Sequence, residues 1–259
     1  MAIKKELIMV DHSQMKLGKL PAEHSPETKY LAAYMTAESI NVPATVTDYT
    51  DISHWPMMAN DRVGDCTIAS AGHCIQKWTH LAQSKEVDLS DAVILQMYSA
   101  ITGYNPRDPN TDRGAVERNV LSYWKWHGIG GHKINNYLAV EVSQINQLKL
   151  CVYLFDVCYI GVALPITAQN QDIWAESVGP NAAPGSWGGH AVPVVGYNAI
   201  GPVVITWGEV KQMTWGFWSK YVEEAWAVLS TDWVNKQNIA PNHLTWNELV
   251  QDLSTNFKS

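Results

Sequence analysis

An α+β fold is predicted by three observations. Apolar residues Ile68, Ala71, Ile75, Trp78 and Leu81 recur at helical spacing. Beyond residue 156 the chain breaks into short β-rich runs separated by glycine or proline. Helical signals come first and strand signals follow, so a helical half and a sheet half are expected. At 259 residues the chain is long enough for one large domain or two small ones, with a sizeable core.

Residues 1 to about 41 read as an N-terminal extension. Within it "SPETKYLAAYMTAES" predicts a short helix, with Ser25 as N-cap and Pro26 at the first position. "INVPATVTDYTDISHWPMM" reads as extended chain or loop, broken by Pro43 and Pro56. A helix runs from Cys66 to about Ala82. A second covers "LSDAVILQMYSAITG", capped by Ser90 and stopped at Gly103. "NPRDPNTDRG" is a turn-rich loop. A third helix covers "AVERNVLSYWKWHG", closed by Gly128, and "EVSQINQLKLCVYLF" predicts a fourth, capped by Ser143. Strands follow at "VCYIGVAL", "GGHAVPVVGYN", "GPVVITWG" and "AWAVLS". Thr245 and Glu248 form a capping box that opens a terminal helix, placing a C-terminal helical extension over 233–259.

Charged residues make up 17% of the chain, and its net charge is -7. Without a basic face, nucleic acid is excluded as a partner. The apolar stretch Leu7 to Val10 is too short for a signal core or a membrane span. A soluble protein, cytoplasmic or virion-associated, is expected. Four cysteines are present and no C-x-x-C pair. Cys66 and Cys74 would lie about 12 Å apart along one helix, too far to bridge, so reduced thiols are expected. Asp108, Asn110 and Asp112 alternate like the start of a calcium loop, but Arg113 and Asn119 stand where glycine and glutamate are needed. "GIGGHK" lacks dinucleotide-binding spacing. No metal and no cofactor are expected. The twelve tryptophans read as core and contact surface.

Two stretches carry chemistry. "NDRVGDCTIAS" puts Cys66 where a loop turns into a helix, and "GGHAVPVVGY" puts His190 at the head of an apolar strand. A helix N-terminus and a neighbouring imidazolium both favour a thiolate. The imidazolium can then protonate a leaving amine.

The order Cys66, His190, then Trp207-Gly208 resembles the papain-like cysteine peptidases, as does the interval of 124 residues between Cys66 and His190. "VPATVTDY", "LSDA", "DRGAVERNVLSYWKWHGI", "CYIGVALPI" and "HAVPVVGY" resemble successive segments of that family, over roughly residues 42–232. The resemblance implies a helical half and an antiparallel sheet or barrel half with the cleft between them. It implies Cys66 as nucleophile and His190 as general base and acid. Asn60 stands where the family has the oxyanion-hole glutamine. Gly64, Asp65, Gly114 and Trp207 would line the substrate cleft.

The chain also departs from the family. Thr67 stands in place of a tryptophan, and the disulfide cysteines are absent. Ile205 aligns with the asparagine that orients the histidine, and Thr206 would face the opposite side of a regular strand. The third member is therefore missing, supplied from elsewhere, or replaced by Thr206 through a bulge.

The function expected is cleavage of peptide bonds in a peptide or protein substrate. The alternatives are an inactive papain-like component of a larger assembly such as a phage particle, partnered through the terminal extensions, and a cell-wall amidase or endopeptidase. The first 40 residues could also block the cleft.

Overall fold

The computed structural model describes residues 12–23, 25–34, 41–83 and 85–248. Its five α-helices are α1 (Cys66–Gln83), α2 (Asp91–Thr102), α3 (Glu117–Trp126), α4 (Ile145–Phe155) and α5 (Trp215–Tyr221). The strands are β1 (Asn136–Ala139), β2 (Cys158–Leu164), β3 (Ile173–Trp174), β4 (Gly188–Tyr197), β5 (Pro202–Thr206), β6 (Glu209–Met213) and β7 (Val222–Leu229). They form one sheet in the order β1-β7-β2-β4-β5-β6-β3, antiparallel except for the β3–β6 pair.

α1 packs against β4 on one side and against α2 and α3 on the other. Its predicted apolar stripe is buried at Ile68, Ala71, Ile75 and Trp78, and half-buried at Leu81. The burial is wider than one stripe, because Gln76, Lys77 and Thr79 are buried too. Such a helix lies inside the molecule, and several of its polar groups find partners there. Thr79 bonds back to the Ile75 carbonyl at 2.8 Å, and Gln76 donates to the His54 carbonyl at 2.8 Å. Trp78 donates to the Phe155 carbonyl at 2.9 Å, and Tyr159 on β2 donates to the Thr67 carbonyl at 2.8 Å. β2 lies between β7 and β4 and is buried along its whole length, which explains its continuous apolar run.

Several helix ends differ from expectation. Ser25 caps no helix: residues 25–28 form a turn, followed by a 3₁₀ helix at Leu31–Tyr34. The remainder of that predicted helix, 35–39, lies outside the described residues. Ser143 does not cap α4; Gln144 takes that place, and the serine hydroxyl donates to Glu141. Ser90 precedes α2 in extended geometry but makes no side-chain cap, while Gly103 ends it at φ 78°. The Thr245–Glu248 box is formed, with Thr245 N–H donating to Glu248 at 2.7 Å and Glu248 N–H to Thr245 at 3.2 Å. The rest of the predicted terminal helix, beyond Glu248, lies outside the described residues.

Candidate functional site

Cys66 begins α1, and the backbone leading to it is held in a fixed path. Met58 and Ala59 both adopt positive φ, at 54° and 65°. The Asp65 carbonyl accepts from Ile68 and Ala69, opening the helix. Across from it, Tyr98 donates to Asp112 at 2.7 Å, Asp112 accepts from Gly64 N–H, and Tyr98 Oη accepts from Gly114 N–H at 2.8 Å. This clamp ties the loop before Cys66 to the loop carrying Gly114, and sequence reasoning missed it. Asp112 is thereby engaged in the backbone. Asp108 accepts from Asn110, and no group of three metal-binding side chains occurs among the described residues. Asp65 is completely buried, and burial lifts its carboxyl well above the usual range.

His190 lies on β4 opposite Val162 of β2. Its Nε2 is 2.8 Å from Thr206 Oγ1, and its buried Nδ1 has no hydrogen-bond partner among the described residues. A bulge makes the Thr206 contact geometrically available. The β4–β5 hairpin pairs Tyr197 with Pro202 and Gly196 with Val203, then slips by one residue so that Val194 meets Val204. Val195 is the extra residue, and it inverts the parity of the strand beyond it. Thr206 thus shares a face with His190. Ile205 turns the other way, into an apolar cluster with Ile52, Trp55, Val195 and Val203.

The β5–β6 turn is Trp207-Gly208, at φ 48° and 73°. Two positive φ values match a tight hairpin turn of the type that suits strand twist. Tryptophan there is a backbone strain of about 1 kcal/mol. The turn places the Trp207 ring over His190, stacked at 4.5 Å between centroids.

The cleft is not empty. Residues 16–20 of the same chain run through it. Lys16 N–H donates to the Asn60 carbonyl at 3.3 Å, and the Lys16 carbonyl accepts from Trp207 Nε1 at 3.3 Å. The Gly18 carbonyl accepts from Ala115 N–H at 2.8 Å, and Leu20 N–H donates to the Ala115 carbonyl at 2.9 Å. Lys19 N–H donates to the Gly189 carbonyl at 3.0 Å. The fit leaves no room for a side chain at position 18: a Cβ there would lie 1.7 Å from the Gly64 carbonyl oxygen. A Cβ at Gly114 would lie 2.1 Å from the Gly18 carbonyl oxygen.

Burial dominates the electrostatics of Cys66 and His190. Burial pushes the Cys66 thiol up to about 12, although the N–H groups of Ala191 and Gly18 point at its sulfur and favour the thiolate. Burial lowers His190 to about 3. Burial thus favours the neutral form of each group and works against the thiolate–imidazolium pair that the sequence suggests. The Asn60 amide donates to the Val63 carbonyl at 3.1 Å and reaches the Lys16 carbonyl at 3.5 Å. All four cysteines are free and buried. No described helix is long and apolar enough to cross a membrane.

No family profile and no curated protein matches the chain by sequence. Solved structures do resemble it. One is xylellain, a cysteine protease from Xylella fastidiosa, at TM-score 0.61 and 14% identity over 84% of this chain and 97% of that one. Another is digestive procathepsin L 3 of Tenebrio molitor larval midgut, at 0.55 and 11% over 84% and 77%. A third is the proform of Amb a 11, a ragweed pollen cysteine protease, at 0.53 and 15% over 75% and 68%. The chain has the α+β fold of the papain-like cysteine proteases.

Proposed function

We propose that this chain is a papain-like cysteine peptidase held latent by its own residues 16–20. The carrying observation is that a stretch of peptide already lies beside Cys66, hydrogen-bonded to Asn60, Ala115, Gly189 and Trp207. A cleft that binds one peptide backbone in this way can bind another. The bound stretch is also placed to resist attack. It turns the Gly18 N–H toward the sulfur, a proton donor rather than an electrophilic carbonyl.

With the segment displaced, His190 takes the Cys66 proton through Nδ1, the nitrogen without a protein partner. The thiolate adds to a peptide carbonyl, and the oxyanion is met by the Cys66 N–H and the Asn60 amide. His190 returns the proton to the leaving amine, giving a thioester acyl-enzyme. Water, deprotonated by His190, then releases the acid. Thr206 accepts from Nε2 and Trp207 covers the ring, so both are positioning residues. The competing reading is a non-catalytic assembly component, favoured by the complete burial of Cys66 and His190.

Limiting iodoacetamide at neutral pH separates the two. In Gly18→Ala the new methyl cannot fit against Gly64, so the segment should leave. Labelling at Cys66 should rise about a hundred-fold, stay unchanged at Cys74, Cys151 and Cys158, and fall away when His190→Ala is added. The same variant should hydrolyse a mixed fluorogenic peptide library. Cys66 labelling no faster than the other three thiols in the displaced form would remove the catalytic reading.

A further inference from the structure

Where the Lys19 side chain leaves the segment it lies against Gly161 and between Glu223 and Glu224, with Glu117 near enough to favour its charge. Its Nζ lies 3.0 Å from Glu224, 3.1 Å from Glu223 and 3.2 Å from the Leu20 carbonyl, and the side chain is only 1% exposed. Glu224 is held in place by Trp226 Nε1 at 3.1 Å. Gly161 makes the space, since a Cβ there would lie 2.0 Å from Lys19 Cε. Glu117, in the first turn of α3, is completely buried, and neither of its carboxylate oxygens has a hydrogen-bond partner among the described residues.

The body of the protein thus supplies three carboxyl groups at one point of its cleft, and the cation that meets them arrives on the removable segment. Burying carboxyl groups without a partner is unfavourable, so a pocket of this kind suits a positively charged guest. It is continuous with the backbone contacts that Ala115 and Gly189 make to residues 18–20.

We infer that this pocket is a specificity subsite that selects a lysine or arginine side chain of the peptide that replaces residues 16–20. The inference rests on the peptide-binding reading of the cleft given above, but not on catalysis. A guanidinium, with five donors in a planar fork, could engage Glu117 as well as Glu224.

The test uses the full chain carrying Cys66→Ser, which binds without cleaving, together with Lys19→Glu to expel the segment by repulsion. Gly18→Ala serves as a second route to the open cleft should the first variant fold poorly. Blocked hexapeptides MKLGKL, MKLGRL and MKLGLL are titrated by calorimetry. The basic peptides should bind about ten-fold tighter than the leucine peptide, and adding Glu117→Gln and Glu224→Gln should shrink that gap below about two-fold. Equal or tighter binding of MKLGLL, a gap that survives both glutamines, or no binding of MKLGKL at millimolar concentration would each overturn the subsite. Failure of the library to be hydrolysed by the Cys66 form would leave this binding preference standing, so the two readings fail separately.

Discussion

Lys77 and Lys19 are both buried lysines set among carboxylates, yet they belong to different parts of the machine. Lys77 projects from the middle of α1 and is gripped by Asp156 Oδ1, by Asp48 at 3.0 Å and by the Asp156 carbonyl at 3.0 Å. Asp156 ends α4 in left-handed geometry, at φ 70°. Cation and carboxylates there are all fixed in the folded body. Burial works against the Lys77 charge, but Asp156 and Asp48 outweigh it and raise its pKa. Lys19 shows the same signs: burial opposes its charge, and Glu117 and Glu224 restore it. Its pocket is lopsided, however. Burial lifts Glu117 well above the usual carboxylate range, and Glu224 adds to the shift. One lysine completes a core; the other, on the latent-peptidase proposal, fills a socket that it vacates when the segment leaves.

The comparison can be broken first by stability. Lys77→Met should cost about 3–5 kcal/mol, because it strands a buried aspartate. Lys19→Met should cost under about 1.5 kcal/mol, because the segment can lift and let water reach Glu223 and Glu224. Urea unfolding of the two variants checks this, and equal losses would mean that residues 16–20 are part of the fixed core.

Histidine titration sharpens the same contrast. His73 is buried by the body and donates from Nε2 to the Pro56 carbonyl at 2.8 Å, with its pKa lowered to about 4 by burial. His190 is buried under Trp207, whose indole N–H bonds the Lys16 carbonyl of the segment. In Gly18→Ala, NMR should find His190 moved from about 3 toward about 6.5, with His73 unmoved.

The smallest effect concerns His73 alone. Its folded pKa near 4 lies below the unfolded value of about 6.5. Between those limits the unfolded chain binds more protons, so the contribution is complete above pH 6.5 and is lost as pH falls through 4. His73→Gln should therefore lose about 2 kcal/mol less than the parent chain between pH 7 and 4.5, read as the difference between their urea midpoints.

The sequence revealed the long elements and concealed the short ones. α1 to α4 and β2, β4, β5 and β7 announced themselves by period and by punctuation. β1 is four residues, β3 two, and α5 seven, too short for a period to show. β6 reads "EVKQM" and is half-exposed, so it carries no apolar run. In the site, Cys66 and His190 could be singled out because their motifs are local. Residues 16–20 could not, because apart from the Lys19 side chain their bonds run through backbone groups that leave no side-chain signature; Gly18 is the one residue type their passage demands. Glu117 and Glu224 meet Lys19 only in the folded chain, so no local pattern joins them. The facing of Thr206 depended on how many residues β4 contains between the hairpin turn and His190, and that count needs the pairing.

The Val195 bulge ties two positions together. With Val195 as an extra residue, the hydroxyl at position 206 reaches the histidine and position 205 belongs to oil. Placing an asparagine at Ile205 in this chain would send an amide into the Ile52–Trp55 cluster, not toward His190. The effect of a residue at 205 or 206 thus depends on the bulge. Strand length therefore decides which of the two neighbours faces the histidine: deleting Val195 would turn position 205 toward it and position 206 away.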